Sequence, residues 1–290
     1  MNTMHDESTY RIRVDLAYDG TGYHGWARQP GLPTIQEAVE TGLATIFRHP
    51  LTVTVAGRTD AGVHADRQVI HFDITPQRWQ HLKGNRPERS PEEALVSKLN
   101  GVLARESGAI RILDAQVAPT GFDARFSPLS RRYRYRVNHG TPDPLVRHFT
   151  YHHRRPLDVA TMATEIADLT GVYDFGSFCK PRPGATTIRT LHTFQIEPAE
   201  DVTTIWLSAD AFCHHMVRAL VGALLQVGDG TRRPGWLRQR LEHPVRDSNM
   251  AIAPAHGLIL DTVRYPADER LGQRAEQTRA RRDPTSLPCD

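Results

Sequence analysis

The sequence has few of the features that mark a membrane protein, a disulfide-rich protein or a redox enzyme. No stretch of its 290 residues approaches the roughly 20 apolar residues that span a bilayer, and its N-terminus lacks the basic-then-apolar pattern of a signal peptide. Only three cysteines occur, and no two of them are spaced as CxxC: Cys179, Cys213 and Cys289. We therefore expect a cytoplasmic protein with free thiols and no membrane partner.

Lysine is also scarce, so arginine supplies most of the positive charge. The three lysines are Lys83, Lys98 and Lys180. The net charge is only +3, but one short stretch is dense in arginine: Arg125, Arg131, Arg132, Arg134 and Arg136. A local basic strip fits a polyanionic partner, although arginines that merely solubilise the surface would give the same pattern.

Hydrophobic residues at 39% and charged residues at 24% are ordinary values for a globular protein, and a chain of this length buries a core without disulfides or metal. Hydrophobic periodicity predicts the order β-α-β-β-α-β in each half. The predicted elements of the first half are strand 10–18, a helix from 35 to the His49-Pro50 pair, strands 51–55 and 68–73, helix 91–104 and strand 108–117. Those of the second half are strand 131–138, helix 157–169, strands 189–197 and 202–210, helix 214–227 and strand 257–264.

This order is that of the split βαβ fold, in which two helices cover one face of an antiparallel four-stranded sheet. We predict an α+β protein of two ferredoxin-like halves, whose antiparallel sheets join into one larger mixed sheet with helices packed outside. The predicted parts are an N-terminal tail at 1–9, an N-terminal domain at 10–118, a C-terminal domain at 119–266 and a loose C-terminal tail at 267–290. Residues 74–90 are expected to form a surface insertion, and residues 234–242 a short extra helix.

One loop stands out, because it holds an acid between two glycines directly after a predicted strand. It runs Ala56-Gly57-Arg58-Thr59-Asp60-Ala61-Gly62-Val63-His64. The glycines let the backbone approach a ligand, on which Arg58 and Asp60 can converge. We interpret Asp60 as a catalytic nucleophile; a hairpin-like connection with a surface ion pair is the structural alternative.

A second candidate is the strand that begins Arg131-Arg132-Tyr133-Arg134-Tyr135-Arg136. A period of two places both tyrosines on one face and Arg132 on the other. An aromatic ring presented from a sheet can stack on an unpaired base, whereas two core tyrosines would give the same pattern.

The last predicted helix contributes Arg218, which lies beside the apolar stripe that starts at Met216. An arginine there needs an anionic partner, and Asp60 is a candidate. Such a pair would keep the carboxylate ionised and oriented, so we expect the site to lie between the two halves.

Two other kinds of site have weaker support. His64, Asp66 and His71 are ligand-type residues, but no HExxH motif or Cys/His quartet accompanies them. A Ser-His-Asp hydrolase lacks its Gly-x-Ser-x-Gly elbow. We therefore expect no metal site.

Several motifs, found in the family's order between about residues 10 and 265, resemble the tRNA pseudouridine synthase A family. They are Tyr18-Asp19-Gly20, Tyr23-His24-Gly25-Trp26, the loop at 56–64, Phe122-Asp123-Ala124-Arg125-Phe126-Ser127, Arg132-Tyr133-Arg134-Tyr135 and His214-His215-Met216-Val217-Arg218. The resemblance implies isomerisation of uridine to pseudouridine at positions 38 to 40 of the tRNA anticodon stem-loop, by a homodimer without metal or cofactor. The sequence differs from the family's common pattern at Ala27 and Ala219, and its segment at 76–93 is longer.

The resemblance also implies roles for individual residues. Asp60 is the implied nucleophile, Arg58 fills the space left by the flipped base, Tyr133 stacks on the target uracil, and Arg218 pairs with Asp60. Arg125, Arg132 and His64 complete the candidates for substrate binding. Whether Asp60 attacks C6 of the base or C1′ of the ribose stays open, and a non-catalytic RNA-binding protein and an acid-dependent hydrolase are the competing hypotheses.

Overall fold

A computed structural model describes residues 9–180, 186–245 and 250–279. Its strands are β1 (Tyr10–Tyr18), β2 (Thr54–Val55), β3 (His64–Ile74), β4 (Ile110–Val117), β5 (Ser130–Asn138), β6 (Tyr151–His152), β7 (Gly171–Asp174), β8 (Ile188–Glu197), β9 (Val202–Ala209) and β10 (Leu258–Arg264). Its helices are α1 (Ile35–Phe47), α2 (Pro76–Gln80), α3 (Pro91–Glu106), α4 (Val159–Ile166), α5 (Met216–Gly228), α6 (Trp236–Glu242) and α7 (Leu271–Arg279). Within the described ranges, no helix combines the length and the hydropathy that crossing a membrane requires.

The chain forms two compact units. The first comprises the described residues of 1–61, 65–128 and 265–279, and the second comprises 62–64 with the described residues of 129–264. The sequence analysis expected residues 119–128 in the C-terminal domain, whereas their contacts group them with the first unit.

In the first unit, β1 is the central strand and pairs antiparallel with both β3 and β4, while β2 extends the sheet from β3. The order is therefore β4-β1-β3-β2. Two capped helices accompany the sheet: Thr34 caps α1, and Ser90 with Glu93 forms the capping box that begins α3 at Pro91. Because α1 and α3 pack together and α3 packs against β4, their apolar faces are buried with β1.

The second unit repeats the arrangement. Strand β5 pairs antiparallel with β9 and β10, β8 follows β9, and β7 extends the sheet, so that the order is β10-β5-β9-β8-β7. The short strand β6 pairs parallel with β5, which makes the sheet mixed. The predicted α+β class is confirmed: in each unit mainly antiparallel strands carry helices packed outside them.

Helix α5 is the core helix of the second unit, and one close contact fixes the chain that crosses it. Nearly all its residues are buried. A Cβ atom at residue 222 would overlap the carbonyl oxygen of Ala251. Only glycine therefore lets the backbone at 251–253 approach the helix this closely. That segment also donates the amide of Ala253 to the carbonyl of Arg218, at 3.0 Å.

The C-terminal segment corrects one expectation. Residues 267–290 were predicted to be a loose tail, but 271–279 form α7, which buries Leu271 and Ala275 against the first unit. The hydroxyl of Ser127 donates to the carbonyl of Leu271 at 3.1 Å, and Arg279 pairs with Asp123 at 2.8 Å. Only two apolar residues face inward, too few for hydrophobic periodicity to reveal the helix. Residues 280–290 of the predicted tail lie outside the described part of the chain, as do residues 1–8 of the predicted N-terminal tail.

The cysteines correct a second expectation. Cys179 and Cys213 form a disulfide, with their Cα atoms 5.7 Å apart. They are 34 residues apart in sequence, and beside them Lys180 donates its amide to the carbonyl of His214 at 3.0 Å. Sequence spacing alone contained no sign of this pairing. Cys289, also expected to be free, lies beyond the described residues.

We predict opposite effects for alanine at two helical glycines. Gly222→Ala should lower the free energy of unfolding by more than about 2 kcal/mol, because the methyl group would displace the 251–253 backbone. Gly101→Ala in α3, where nothing lies within 4 Å of the new Cβ, should raise it by about 0.5–1 kcal/mol through helix propensity. Urea denaturation measures both, and equal effects at the two positions would contradict the proposed packing.

Candidate active site

The glycine-flanked loop at 56–63 leaves β2 and leads into β3. Its side chains alternate in exposure: Arg58 is exposed, Thr59 is buried, and Asp60 is partly exposed. The loop therefore presents an arginine and a carboxylate to the outside while a threonine points into the first unit. The predicted convergence of Arg58 and Asp60 on a ligand stays a prediction.

The start of the loop is fixed by β3. The amide of Ala56 donates to the carbonyl of Val69 at 2.9 Å, and the fully buried side-chain amide of Gln68 donates to the carbonyl of Gly57 at 2.8 Å. Residue 57 is thus held by a buried donor that belongs to the strand leaving the loop. A hydrogen bond of this kind is strongly directional in a low-dielectric interior.

The middle of the loop is fixed by Tyr18, the last residue of β1. Its hydroxyl lies 2.8 Å from Oγ1 of Thr59 and accepts a hydrogen bond from Nε2 of Gln68 at 3.2 Å. Since the amide nitrogen of Gln68 can only donate, the hydrogen of the Tyr18 hydroxyl is available to Thr59. Burial raises the pKa of Tyr18 to about 12, so the hydroxyl stays protonated at neutral pH.

The backbone of the loop also packs against Gly25. The amide of Trp26 donates to the carbonyl of Thr59 at 3.0 Å. Gly25 has φ +89°, and a Cβ there would lie 2.9 Å from that same carbonyl oxygen and 3.0 Å from the amide nitrogen of Ala61. The Tyr23-His24-Gly25-Trp26 motif therefore supports the residues on both sides of Asp60.

In chemical terms, the first unit offers a half-exposed carboxylate on a loop that is anchored at residues 57 and 59. A carboxylate acts as a nucleophile or a base only when it is accessible, and it does so efficiently when its backbone is pre-positioned. The local geometry supports either role for Asp60.

Arg125 also belongs to the first unit and is exposed. Its turn is built by Asp123, whose carboxylate accepts from the amides of Arg125 and Phe126 at 2.8 and 3.0 Å. The guanidinium groups of Arg125 and Arg279 each lie 4.9 Å from the ring centre of Phe126. These stacking contacts hold the Arg125 guanidinium against the ring of Phe126, and its predicted role in substrate binding stays a prediction.

In the second unit, the two tyrosines of β5 have different environments. Tyr135 is completely buried, donates to the carbonyl of Pro254 at 2.9 Å, and has a pKa raised by burial. Tyr133 is 7% exposed and meets the ring of Phe212 edge-on, with centroids 5.3 Å apart. Tyr135, whose ring also meets that of Tyr151 edge-on, is thus a core residue, whereas Tyr133 is slightly exposed beside Phe212.

Arg132 lies on the opposite face of β5 from Tyr133. Its guanidinium pairs with Asp261 at 2.6 Å and lies 5.0 Å from the ring centre of Trp206. These contacts give Arg132 a structural role on that face, and its predicted role in substrate binding stays a prediction.

Arg218 lies in the first turn of α5, which begins after His215 rather than at His214 as predicted. Its Nε donates to the carbonyl of Ala253 at 2.7 Å, and its own carbonyl accepts from the amide of Ala253. The side chain is therefore held by main-chain atoms and is partly exposed.

His64 is the first residue of β3 and is grouped with the second unit. It is buried, and its ring lies 4.7 Å from that of Phe149. The pKa of the nearby His256 is lowered, first by burial and then by the fields of His64 and His148. His64 thus belongs to a packed aromatic and histidine cluster rather than to an exposed surface.

Sequence reasoning missed the supports of the loop. Tyr18 and Gln68 look like ordinary strand residues, and only the register of β1 with β3, in which Tyr18 faces Ala65 and Leu16 faces Gln68, shows why both point at the loop. A glutamine among the apolar residues of a predicted strand was the available signal.

We predict that Tyr18→Phe lowers the free energy of unfolding by about 1–3 kcal/mol. The substitution keeps the ring but leaves the buried hydroxyl of Thr59 without its partner, while Gln68 keeps its bond to Gly57. Equilibrium denaturation in urea measures the change.

Tyr23→Phe is the matched control, because the Tyr23 hydroxyl bonds to Ser107 at an exposed position. Its effect should stay within about 0.5 kcal/mol. A Tyr18→Phe protein as stable as the control would show that the buried hydroxyl does not anchor the loop.

The chain matches known proteins over nearly its whole length. A family model described as tRNA pseudouridine synthase matches residues 166–266. A protein of Frankia casuarinae named tRNA pseudouridine synthase A is 50% identical over 278 residues, covering 94% of this chain and 96% of that protein. Proteins of the same name from Leifsonia xyli and Mycobacterium leprae are 49% and 42% identical, covering 96% and 93% of this chain and 99% and 94% of their own lengths.

Among solved structures, one of an H/ACA RNP bound to a substrate RNA containing 2′-deoxyuridine matches with a TM-score of 0.29 and 12% identity, covering 72% of this chain and 44% of that one. This likeness is too slight to inform on function. The identities to curated relatives are far higher and extend across both units. The chain belongs to the tRNA pseudouridine synthase A family of isomerases.

Proposed function

We propose that this protein converts uridine to pseudouridine at positions 38, 39 and 40 of the tRNA anticodon stem-loop, with Asp60 as the nucleophile. The observation that carries the proposal is the half-exposed carboxylate of Asp60 on a loop anchored from beneath at residues 57 and 59. A nucleophile must be both accessible and held in place, and this loop meets both needs.

The proposed reaction rearranges bonds within one nucleotide. The C1′–N1 bond breaks, the uracil turns, a C1′–C5 bond forms, and the proton on C5 is released while N1 gains one. The Asp60 carboxylate forms a transient bond to C6 of the base or to C1′ of the ribose and leaves again. Since nothing is oxidised and no group is imported, we propose that the reaction needs neither metal nor cofactor.

The base must leave its stack before this chemistry can occur. We propose that Tyr133 stacks on the detached uracil and that Arg58, exposed on the loop, fills the space the base vacates. Arg218 is proposed to supply the positive charge that keeps Asp60 ionised. Arg125, Arg132 and His64 are the remaining proposed contributors to substrate binding.

The proposed assembly is a homodimer acting on tRNA in the cytoplasm, as the family resemblance implies. Size-exclusion chromatography with light scattering tests the dimer directly.

We predict that Asp60→Ala and Asp60→Asn abolish release of tritium from tRNA labelled at C5 of uridine, while tRNA binding changes by less than about threefold. Removing the nucleophile removes the only covalent route, whereas the phosphate contacts that dominate affinity remain. The matched control is Asp66→Asn, an exposed acid early in β3, which should release tritium at the wild-type rate.

Three outcomes separate the hypotheses. Tritium release by Asp60→Ala would refute the role of Asp60 as nucleophile. Pseudouridine mapped outside positions 38–40 would refute the proposed site specificity. A wild-type protein that binds tRNA but never releases tritium would establish the RNA-binding alternative.

For Arg218 we predict that Arg218→Ala lowers kcat at least tenfold, about 1.4 kcal/mol in the barrier, with a smaller change in KM. Arg218→Lys should recover part of the loss, because it keeps the charge although it loses the Nε donor to Ala253. Steady-state kinetics on tRNA measure kcat and KM of both variants. Equal kcat in wild type and Arg218→Ala would refute the role.

A further inference from the structure

A short segment of the second unit carries two successive main-chain carbonyls that each accept a hydrogen bond from a side chain. The Nε atom of Arg218 donates to the carbonyl of Ala253 at 2.7 Å, and the hydroxyl of Tyr135 donates to the carbonyl of Pro254 at 2.9 Å. The arginine belongs to α5 and the tyrosine to β5. Two side chains from different elements are therefore linked through adjacent residues of one segment.

The same segment is fixed by further contacts on both sides of these carbonyls. The amide of Ala253 donates to the carbonyl of Arg218 at 3.0 Å. Pro254 has φ −53°, close to the value that a proline ring enforces. A Cβ atom at Gly257 would lie 2.6 Å from Cζ of Tyr135, so glycine is needed for the chain to pass this close to the tyrosine ring.

The hydroxyl of Tyr135 stays protonated and acts as a donor. Its side chain is completely buried, and burial is the main reason why its pKa lies above the ordinary value. The field of Tyr151 adds to this rise in pKa, and the field of Arg218 opposes it. The guanidinium of Arg218 therefore lies within electrostatic reach of the hydroxyl. Since a carbonyl can only accept, the bond from Tyr135 to Pro254 persists at neutral pH.

We propose that Tyr135 is a positioning residue, which orients Arg218 for catalysis through the main chain of residues 253 and 254. The proposal rests on the proposed function, in which Arg218 keeps Asp60 ionised. A hydrogen bond at Nε fixes the plane of a guanidinium and hence the direction of its two terminal nitrogens. The placement of that plane depends on the accepting carbonyl, and Tyr135 holds the segment that carries it from within the core.

The proposal gives the two tyrosines of β5 different tasks. Tyr133 and Tyr135 point to the same face of the sheet, because they are two residues apart. Tyr133 is slightly exposed beside Phe212 and is the residue proposed to stack on uracil. Tyr135, which is completely buried, acts on Arg218 without touching the substrate.

The test is a double-mutant cycle between Tyr135→Phe and Arg218→Ala. Steady-state kinetics measure kcat and KM for tritium release from tRNA labelled at C5 of uridine. Tyr135→Phe alone should lower kcat about fivefold and change KM by less than about twofold, because it disturbs the placement of Arg218 rather than the binding of tRNA. In the Arg218→Ala background it should lower kcat no further, since the group that it positions is gone.

Tyr265→Phe is the matched control. It removes a tyrosine hydroxyl that also donates to a main-chain carbonyl at 2.9 Å, that of Ala124 in the first unit. Its kcat should stay within about twofold of the wild-type value. A fivefold loss with the control, or equal losses from Tyr135→Phe in both backgrounds, would indicate a general structural effect and overturn the proposal. A Tyr135→Phe enzyme with wild-type kcat would overturn it as well.

Pro254→Ala provides the test if Tyr135→Phe does not fold. This substitution keeps the carbonyl that accepts from Tyr135 but removes the ring that restricts φ. It should lower kcat about threefold in the wild-type background and leave kcat unchanged in the Arg218→Ala background. Wild-type kcat for Pro254→Ala, or equal losses in both backgrounds, would contradict the positioning role.

The same measurements distinguish this proposal from the proposed function. A wild-type enzyme that releases tritium, combined with a cycle that shows no coupling to Arg218, would overturn the positioning role alone. A wild-type protein that releases no tritium from any tRNA would remove the proposed function, and the positioning role with it.

Discussion

The hydrogen bonds that join Gln68, Tyr18 and Thr59 are the constraint on which the candidate site depends. They lie beneath the loop and fix the residues next to Arg58 and Asp60, not those residues themselves. Thr59 is buried between the exposed Arg58 and the partly exposed Asp60, so the bond that holds Thr59 also holds the backbone from which these two neighbours project. The close approach of the Gly25 backbone supports the same loop from the other side, so the loop geometry is set before any ligand arrives.

The second unit uses main-chain atoms for the same purpose. Arg218 is held by the carbonyl of Ala253, and the segment that carries this carbonyl approaches α5 closely because residue 222 is glycine. Tyr133 sits in a sheet whose neighbouring strand places Leu207 opposite it. A side chain held by backbone groups, as Arg218 is, loses little freedom on binding a ligand, and the backbone groups cannot be removed by substitution elsewhere.

Sequence patterns predicted most of the fold, because the long elements have strong periods and caps. Strand β1 was predicted with its observed bounds, and α3 begins at Pro91 after the Ser90 capping box. The patterns failed where tertiary contacts determine the length or the burial of a segment. Strand β2 has two residues instead of five. In the expected surface insertion, Trp79 and Leu82 are buried. For the site, glycine spacing pointed to Asp60 and Arg58 as candidates, and their roles stay predictions. The contribution of Gln68 depends on strand register, which hydrophobic periodicity does not provide.

Helix α7 gives the first unit an unusual dependence on the order of synthesis. Residues 9–128 emerge early from the ribosome, but the bonds from Leu271 to Ser127 and from Arg279 to Asp123 can form only after the whole second unit has been made. The turn that carries Arg125 therefore gains these supports only after the second unit has been made. Domains made first usually fold first, yet here the unit that carries the candidate loop stays incomplete until residues 271–279 have been made.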